Sequence, residues 1–169
     1  MGWQLQREPC LMAWFVFCQH FASMKIGTEA PRSVWTAYPT ILNFPAPIIR
    51  TCPKETVVAE KFHARVSMGI ANSRMKDFFD LYILAEEFDF DGETLVGAIG
   101  ETFDNRKTRV PVKIPIALTD EFAQDEAKRT QWSAFIRKSS LKGHGFDSLP
   151  EILVRLRAFL LPPLMAAGK

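Results

Sequence analysis

Val57-Val-Ala-Glu-Lys-Phe-His-Ala64 and, after a short link, Ser73-Arg-Met-Lys-Asp-Phe-Phe-Asp-Leu-Tyr-Ile-Leu84 are the stretches on which the reading of this chain turns. The first lies inside Lys54 to about Met68, which reads as a helix: Pro53 stands just ahead of its start, and Val58, Phe62 and Val66 recur on one face. The second lies inside Met75 to about Phe88, with Asn72-Ser73 placed to cap it. There Phe78, Leu81, Tyr82, Ala85 and Phe88 form an apolar stripe at helical spacing.

The charges on these two helices are the candidates for chemistry. Asp77 and Asp80 are three residues apart and share a face. Asp77 falls in the first turn, where the helix dipole favours a negative charge. Lys76 and Asp80 are neighbours at i and i+4. An antiparallel pair joined by the tight Gly69–Ser73 link brings Lys61 towards Asp77. A lysine beside a phosphate-binding cleft neutralises charge on a nucleotide, and an aspartate nearby orients a base or an attacking hydroxyl. The plain alternative is a solvated face whose ion pairs contribute only about 0.2–0.5 kcal/mol each.

Downstream, Asp91-Gly92 breaks the second helix, and Thr94 to about Phe103 makes another with Leu95, Ile99 and Phe103 in register. Residues 105–116 are basic and punctuated by prolines, which reads as a loop with some extended backbone. Asn105-Arg-Lys-Thr-Arg109 with Lys113 suits contact with RNA phosphates, and equally a solvated loop. Thr119-Asp120 opens a long helix to about Lys138, Gly143-His-Gly145 is a loop, and Ser148-Leu-Pro-Glu151 caps a final helix ending before Pro162-Pro163.

Upstream, Thr40–Phe44 and Ile48–Thr51 read as short extended segments separated by Pro45-Ala-Pro47. Residues 1–37 show no sustained helical or strand period, yet hold Trp3, Trp14 and Trp35 and two of the three cysteines. Cys10, Cys18 and Cys52 follow no metal-ligand spacing, and their odd number and scatter point to a reduced, cytoplasmic chain. His20, His63 and His144 join them in no zinc pattern, and His63 reads as a surface residue. The apolar run Cys10–Cys18 is too short to span a membrane, which needs roughly 18 or more residues. Nor is it followed by a convincing signal cleavage site. A net charge of +2 is too small to mark a dedicated nucleic-acid binder by itself.

The paired stretches carry a resemblance. V-V-A-E-K-F-x-A followed by R-M-K-D-F-F-D-L-Y-x-L resembles the C-terminal signature of the AbiEii/AbiGii nucleotidyltransferase toxins, in which "(V/L)AEK(L/F)xA" precedes "(R)xKD(F/L)(Y/F)DL". Tyr38-Pro-Thr-Ile-Leu-Asn-Phe-Pro-Ala-Pro47 is similar to the strand and turn found ahead of it in many members. The resemblance covers residues 38–160 and leaves out residues 1–37, an atypical N-terminal segment; residues 38–161 form the toxin-like part and 162–169 a tail. It implies a bacterial toxin–antitoxin pair and a polymerase-β-like nucleotidyltransferase fold. It also implies transfer of a nucleotide from an NTP, with Mg2+, to an acceptor such as tRNA in the intact enzyme. Lys61 matches the lysine that contacts the nucleotide phosphates, and Asp77 the catalytic aspartate of the late motif. Arg74, Lys76 and Asp80 match motif positions without a settled role.

The departure from the family pattern is as informative. Such enzymes place a Gly-Ser or Gly-Gly turn ahead of an Asp-x-Asp pair that holds two metal ions. Nothing before Lys54 has that pattern, and residues 1–53 contain no aspartate. Asp89-Phe-Asp91 has the letters but lies downstream of the late motif, at a helix end. The expectation is therefore an α+β piece, mostly helical beyond residue 54 with a small remnant of sheet, and no metal or cofactor held by the fragment. It is a truncated or frame-shifted toxin, with a non-catalytic helical module that keeps an antitoxin- or RNA-facing surface as the alternative. The implied partners are a cognate antitoxin and tRNA, and a sheet edge left unpaired favours self-association.

Overall fold

The computed structural model of the chain describes residues 34–37, 45–141 and 145–169. The chain divides into two compact units, residues 1–57 and 58–169. In the first, β1 (Val34–Ala37) and β2 (Ile48–Thr51) pair antiparallel in the register Val34 to Thr51 and Ala37 to Ile48. Two cross-strand contacts mark this register: Thr36 Oγ1 lies 3.0 Å from Thr51 Oγ1, and the Arg50 guanidinium sits over the Trp35 ring at 6.0 Å. β2 is the strand expected at 48–51. β1 lies in the stretch where no strand period is visible, because four residues are too few to show one and the pairing itself defines the strand. The segment expected at Thr40–Phe44 lies outside the described residues, as do Cys10, Cys18, His20 and His144.

Six helices follow: α1 (Lys54–Met68), α2 (Met75–Glu87), α3 (Gly92–Asn105), α4 (Asp120–Gln124), α5 (Glu126–Lys138) and α6 (Leu149–Ala167). Short 3-10 turns occupy Gly69–Ala71 and Ile116–Leu118. The chain is thus mostly helical with a two-stranded sheet, in keeping with the α+β expectation.

The second unit is built around α6, which packs against α2, α3 and α4. It buries Ile152, Leu153, Leu156, Leu160 and Leu164 along one face, spaced by three and four residues as a single helical stripe demands. Phe78 and Leu81 of α2 and Leu95, Ile99 and Phe103 of α3 are buried, as their periodicity predicts. Asp91 starts α3, its carboxylate accepting from the Thr94 N–H at 2.9 Å and the Thr94 hydroxyl at 2.6 Å. Those bonds hold its pKa below the ordinary carboxylate value. The role of Asp91 is that of a cap, which accounts for one half of the Asp-x-Asp letters.

Three boundaries differ from expectation. The single helix expected from Asp120 to Lys138 is two, because Asp125 adopts an extended ψ of 126° and restarts the chain as α5 by accepting from the Lys128 N–H at 2.9 Å. Thr119 does cap α4 as expected, accepting from Phe122 N–H at 3.3 Å. At the other end, α6 does not stop before Pro162-Pro163 but runs through them to Ala167. Each proline lacks the N–H that would bond the carbonyl four residues back, at Ala158 and Phe159. Burial of Pro163 and Leu164 in the core holds the helical path despite that loss. Finally, neither Asn72 nor Ser73 caps α2: Arg74 occupies the N-cap position and makes no side-chain cap.

The stripe on α6 makes a direct test. Leu156 is fully buried, whereas Val154, two residues earlier, is 57% exposed. Leu156→Ala is expected to lower unfolding free energy by about 2–5 kcal/mol and Val154→Ala by less than about 0.5 kcal/mol, read by urea denaturation followed by circular dichroism. Similar losses in the two variants would contradict the packing described.

Candidate functional site

The turn Gly69–Ala71 reverses the chain and returns the first turn of α2 to the face of α1 that carries Lys61 and Arg65. Gly69 carries φ +50°, a left-handed conformation that side-chain-bearing residues rarely take, and a Cβ there would lie 3.1 Å from Ile116 Cγ2. The reversal brings together the charges singled out in the sequence. Lys61 Nζ donates to Asp77 Oδ1 at 2.9 Å and to Asp80 Oδ2 at 2.7 Å. Lys76 Nζ donates to both oxygens of Asp80, at 2.9 and 2.7 Å. Arg74 Nε stands 3.3 Å from Asp77 Oδ2. All five sequence candidates therefore meet in one cluster, and the Lys61–Asp77 approach expected from the helix reversal is present.

Three further members of the cluster were not picked out in the sequence. Arg65, four residues after Lys61 and so on the same face of α1, donates Nη2 to Asp77 Oδ2 at 2.8 Å. Its Nη1 donates to the Asn72 side-chain oxygen and to the Arg74 carbonyl, both at 2.8 Å. The same Asn72 oxygen also accepts from the Arg74 N–H at 2.8 Å. Asn72 is thus drawn into bracing the buried guanidinium rather than capping α2. From α5, the buried Lys128 donates Nζ to the Asn72 carbonyl at 2.9 Å and lies 5.5 Å from the centre of the Phe122 ring. The i,i+4 spacing of Lys61 and Arg65 is a signal that could have pointed to Arg65. Lys128, 56 residues from Asn72, has no local signal at all.

Lys61, Arg65, Asn72, Asp77 and Lys128 are all buried, whereas the side chains of Arg74 and Lys76 are 59% and 58% exposed. Burial acts to raise the Asp77 pKa, but the charge and hydrogen bond of Lys61, then Arg65 and Arg74, outweigh it and hold the carboxyl below its usual value. Burial pulls Arg65 down to about 10, opposed by Asp77 and Asp80 and reinforced by Arg74, so it stays charged at neutral pH. Sequestering charges in this way costs several kcal/mol per ion as an order of magnitude, a loss that mutual attraction only partly repays. Such a network is therefore a poor device for stability alone.

The donor set discriminates between ligands. Four cations (Lys61, Arg65, Arg74, Lys76) surround two carboxylates (Asp77, Asp80), so the cluster carries a surplus of positive charge. All four carboxylate oxygens already accept from those cations, and a divalent cation would have to displace lysine and arginine while facing their repulsion. These residues do not fit a metal. Among the described residues no group of three His, Cys, Asp or Glu side chains could hold one. A surplus positive field with two exposed cations at its mouth suits an anion with several oxygens, such as a phosphate chain.

His63 is a correction: it is buried, not on the surface. Its Nε2 lies 2.7 Å from Thr108 Oγ1 and 3.2 Å from Ser67 Oγ, and its ring packs edge-on against Phe103. Burial, aided by Arg106, lowers its pKa. It sits on the α3 side of α1, away from the carboxylate cluster's bonding partners, and joins α1 to the start of the 105–116 loop. A surface position does not hold because Phe103 and Thr108, which cover the ring, come from far along the chain.

These features define a helical unit presenting a buried lysine–aspartate network with an electropositive mouth. The chain belongs to the AbiEii family: the family model described as "Nucleotidyl transferase AbiEii toxin, Type IV TA system" matches residues 22–151. The matched stretch contains the whole cluster and begins ahead of Tyr38. No curated protein and no solved structure matches the chain significantly. Among the described residues no helix is long and apolar enough to cross a membrane.

Asp77 makes the site testable by pH. Its folded pKa is depressed, so the stability it contributes is present above its unfolded pKa of about 3.9 and is lost as pH falls through the lower folded value. Asp77→Asn leaves Lys61 and Arg65 buried against a neutral group, with an expected loss of roughly 3–5 kcal/mol at pH 7. Measured by denaturation from pH 7 to 3, that gap should narrow below about pH 4, where the carboxylate of the unfolded chain takes up a proton that the folded one still refuses. A gap that stays constant with pH would contradict the charged role of Asp77.

Proposed function

We propose that this chain is the C-terminal, nucleotide-facing part of a nucleotidyltransferase-type toxin with the polymerase-β-like architecture of its family, and that it does not transfer nucleotides by itself. The observation carrying this reading is the cluster of four cations on two carboxylates, whose surplus charge is exposed through Arg74 and Lys76. In the proposed mode the phosphates of an NTP approach this mouth. Lys61 is the nucleotide contact, able to exchange its bond to the half-buried Asp80 for one to a phosphate oxygen without leaving Asp77. Asp77 is the carboxylate of the late motif, held ionised by Lys61 and Arg65 so that it can orient an attacking acceptor hydroxyl, on tRNA or a similar end. The metal-binding carboxylates that such a transfer requires are not supplied by this cluster, and residues 1–53 hold no aspartate to supply them.

A second reading, a non-catalytic module keeping an antitoxin- or RNA-facing surface, is favoured by the basic and apolar exposure of residues 106–116.

The proposal is tested on the purified chain with radiolabelled NTPs, total tRNA and Mg2+, alongside calorimetric titration with GTP or ATP. No label is expected in tRNA, whereas nucleotide binding is expected and should weaken by about tenfold or more in Arg74→Gln/Lys76→Gln. Label incorporated by the chain alone would overturn the non-catalytic part. Absence of nucleotide binding, or binding indifferent to both substitutions, would overturn the phosphate-facing part.

A further inference from the structure

A different surface carries an inference that holds whether or not the chain handles nucleotides. Met68 and Ile70 are 42% and 45% exposed at the end of α1 and in the turn that follows. Val112, Ile114 and Ile116 are 86%, 50% and 39% exposed in the loop leading to the second 3-10 turn. The two 3-10 turns pack on each other, and Ile116 Cγ2 abuts the backbone of Gly69, so the five aliphatic side chains lie on adjoining segments. Solitary exposed apolar residues are ordinary; a cluster of five on neighbouring turns is the kind of patch that marks an interaction site.

Two features say what would cover it. The loop is cationic: Arg109 and Lys113 are exposed, and no acidic residue occurs between Asp104 and Asp120. Arg106 is already tied to Glu60 at 2.9 Å, which leaves Arg109 and Lys113 as the charges flanking Val112. The backbone is also available, since no backbone–backbone hydrogen bond is donated from residues 109–114. Although the loop bends at Val112–Lys113, its unpaired N–H groups can bond the carbonyl oxygens of a docked peptide.

Charge alone would suit RNA as well. The patch, however, is aliphatic throughout and offers no aromatic side chain on which an unpaired base could stack, the contact that RNA-binding surfaces rely on. Aliphatic side chains gain by covering other aliphatic side chains. We infer that the 109–116 loop, with Met68 and Ile70, is a docking surface for a segment of a partner protein in which aliphatic and acidic side chains are interspersed. The aliphatic residues of the partner would cover Val112, Ile114 and Ile116, and its carboxylates would meet Arg109 and Lys113.

The test uses the full chain and fluorescence anisotropy with three labelled probes: a short peptide alternating Glu with Val and Ile, the same peptide with Lys for Glu, and single-stranded RNA of similar length. The acidic peptide is expected to bind, and its affinity to fall by about tenfold or more in Arg109→Glu/Lys113→Glu, and with added salt. Val112→Ser/Ile114→Ser is expected to weaken it comparably. Because Val112 is almost wholly exposed, Val112→Ser alone keeps the test valid should the double variant unfold. Failure of the acidic peptide to bind would overturn the inference. So would equal or tighter binding of the lysine peptide or the RNA, or affinity unchanged in the folded variants.

Discussion

The carboxylate of Asp77 is the point on which the helical unit's polar interior turns. Once α1 presents Lys61 and Arg65 on the face directed at α2, two positive charges leave water together, and one acid on the first turn of α2 receives both. Its Oδ1 takes Lys61 and its Oδ2 takes Arg65 and Arg74, so neither oxygen is left without a donor. Around it the rest follows in order. Asn72 is pulled inward to steady the guanidinium, Lys128 reaches from α5 to hold the Asn72 carbonyl, and α2 begins at Met75 with Asn72 unavailable as its cap.

Such a network specifies geometry more than it adds stability. Replacing buried ion pairs by well-packed apolar residues is often neutral or stabilising in other proteins, so charge kept in the interior here invites a role in fixing which residues face the mouth. Directional bonds at 2.7–2.9 Å from Lys61 and Arg65 leave Asp77 and Asp80 one arrangement, where apolar packing would have tolerated several. The exposed cations Arg74 and Lys76 are then held next to that fixed pair rather than swinging free of it.

Much of this is legible in the sequence, and the limits are physical. The spacing of Val58 and Phe62, of Phe78 and Leu81, and of Leu95, Ile99 and Phe103 announces three helices and their buried faces, because helical period and burial are local properties. The meeting of Lys61 with Asp77 is legible for the same reason, as a tight turn leaves the first turn of α2 within side-chain reach of α1. Lys128 is not legible: its helix looks polar, and only α5 folding over Asn72 makes it a buried donor. His63 fails for the same reason, since its partner Thr108 is 45 residues away. The break at Asp125 and the passage of α6 through two prolines are contests between local preference and packing, and nothing local shows which side prevails.

Gly69 has a consequence of another kind. Because it must turn left-handed and must also leave room for Ile116, the link between α1 and α2 has no spare length. One residue inserted between Met68 and Met75 would move the start of α2 relative to α1, carrying Asp77 away from Lys61 and Arg65. Outside Gly69 and Asn72, point changes in this link can be absorbed by neighbouring side chains, but changes in its length cannot. Across a lineage of such genes, then, this short stretch should keep its count and its glycine while its exposed letters vary.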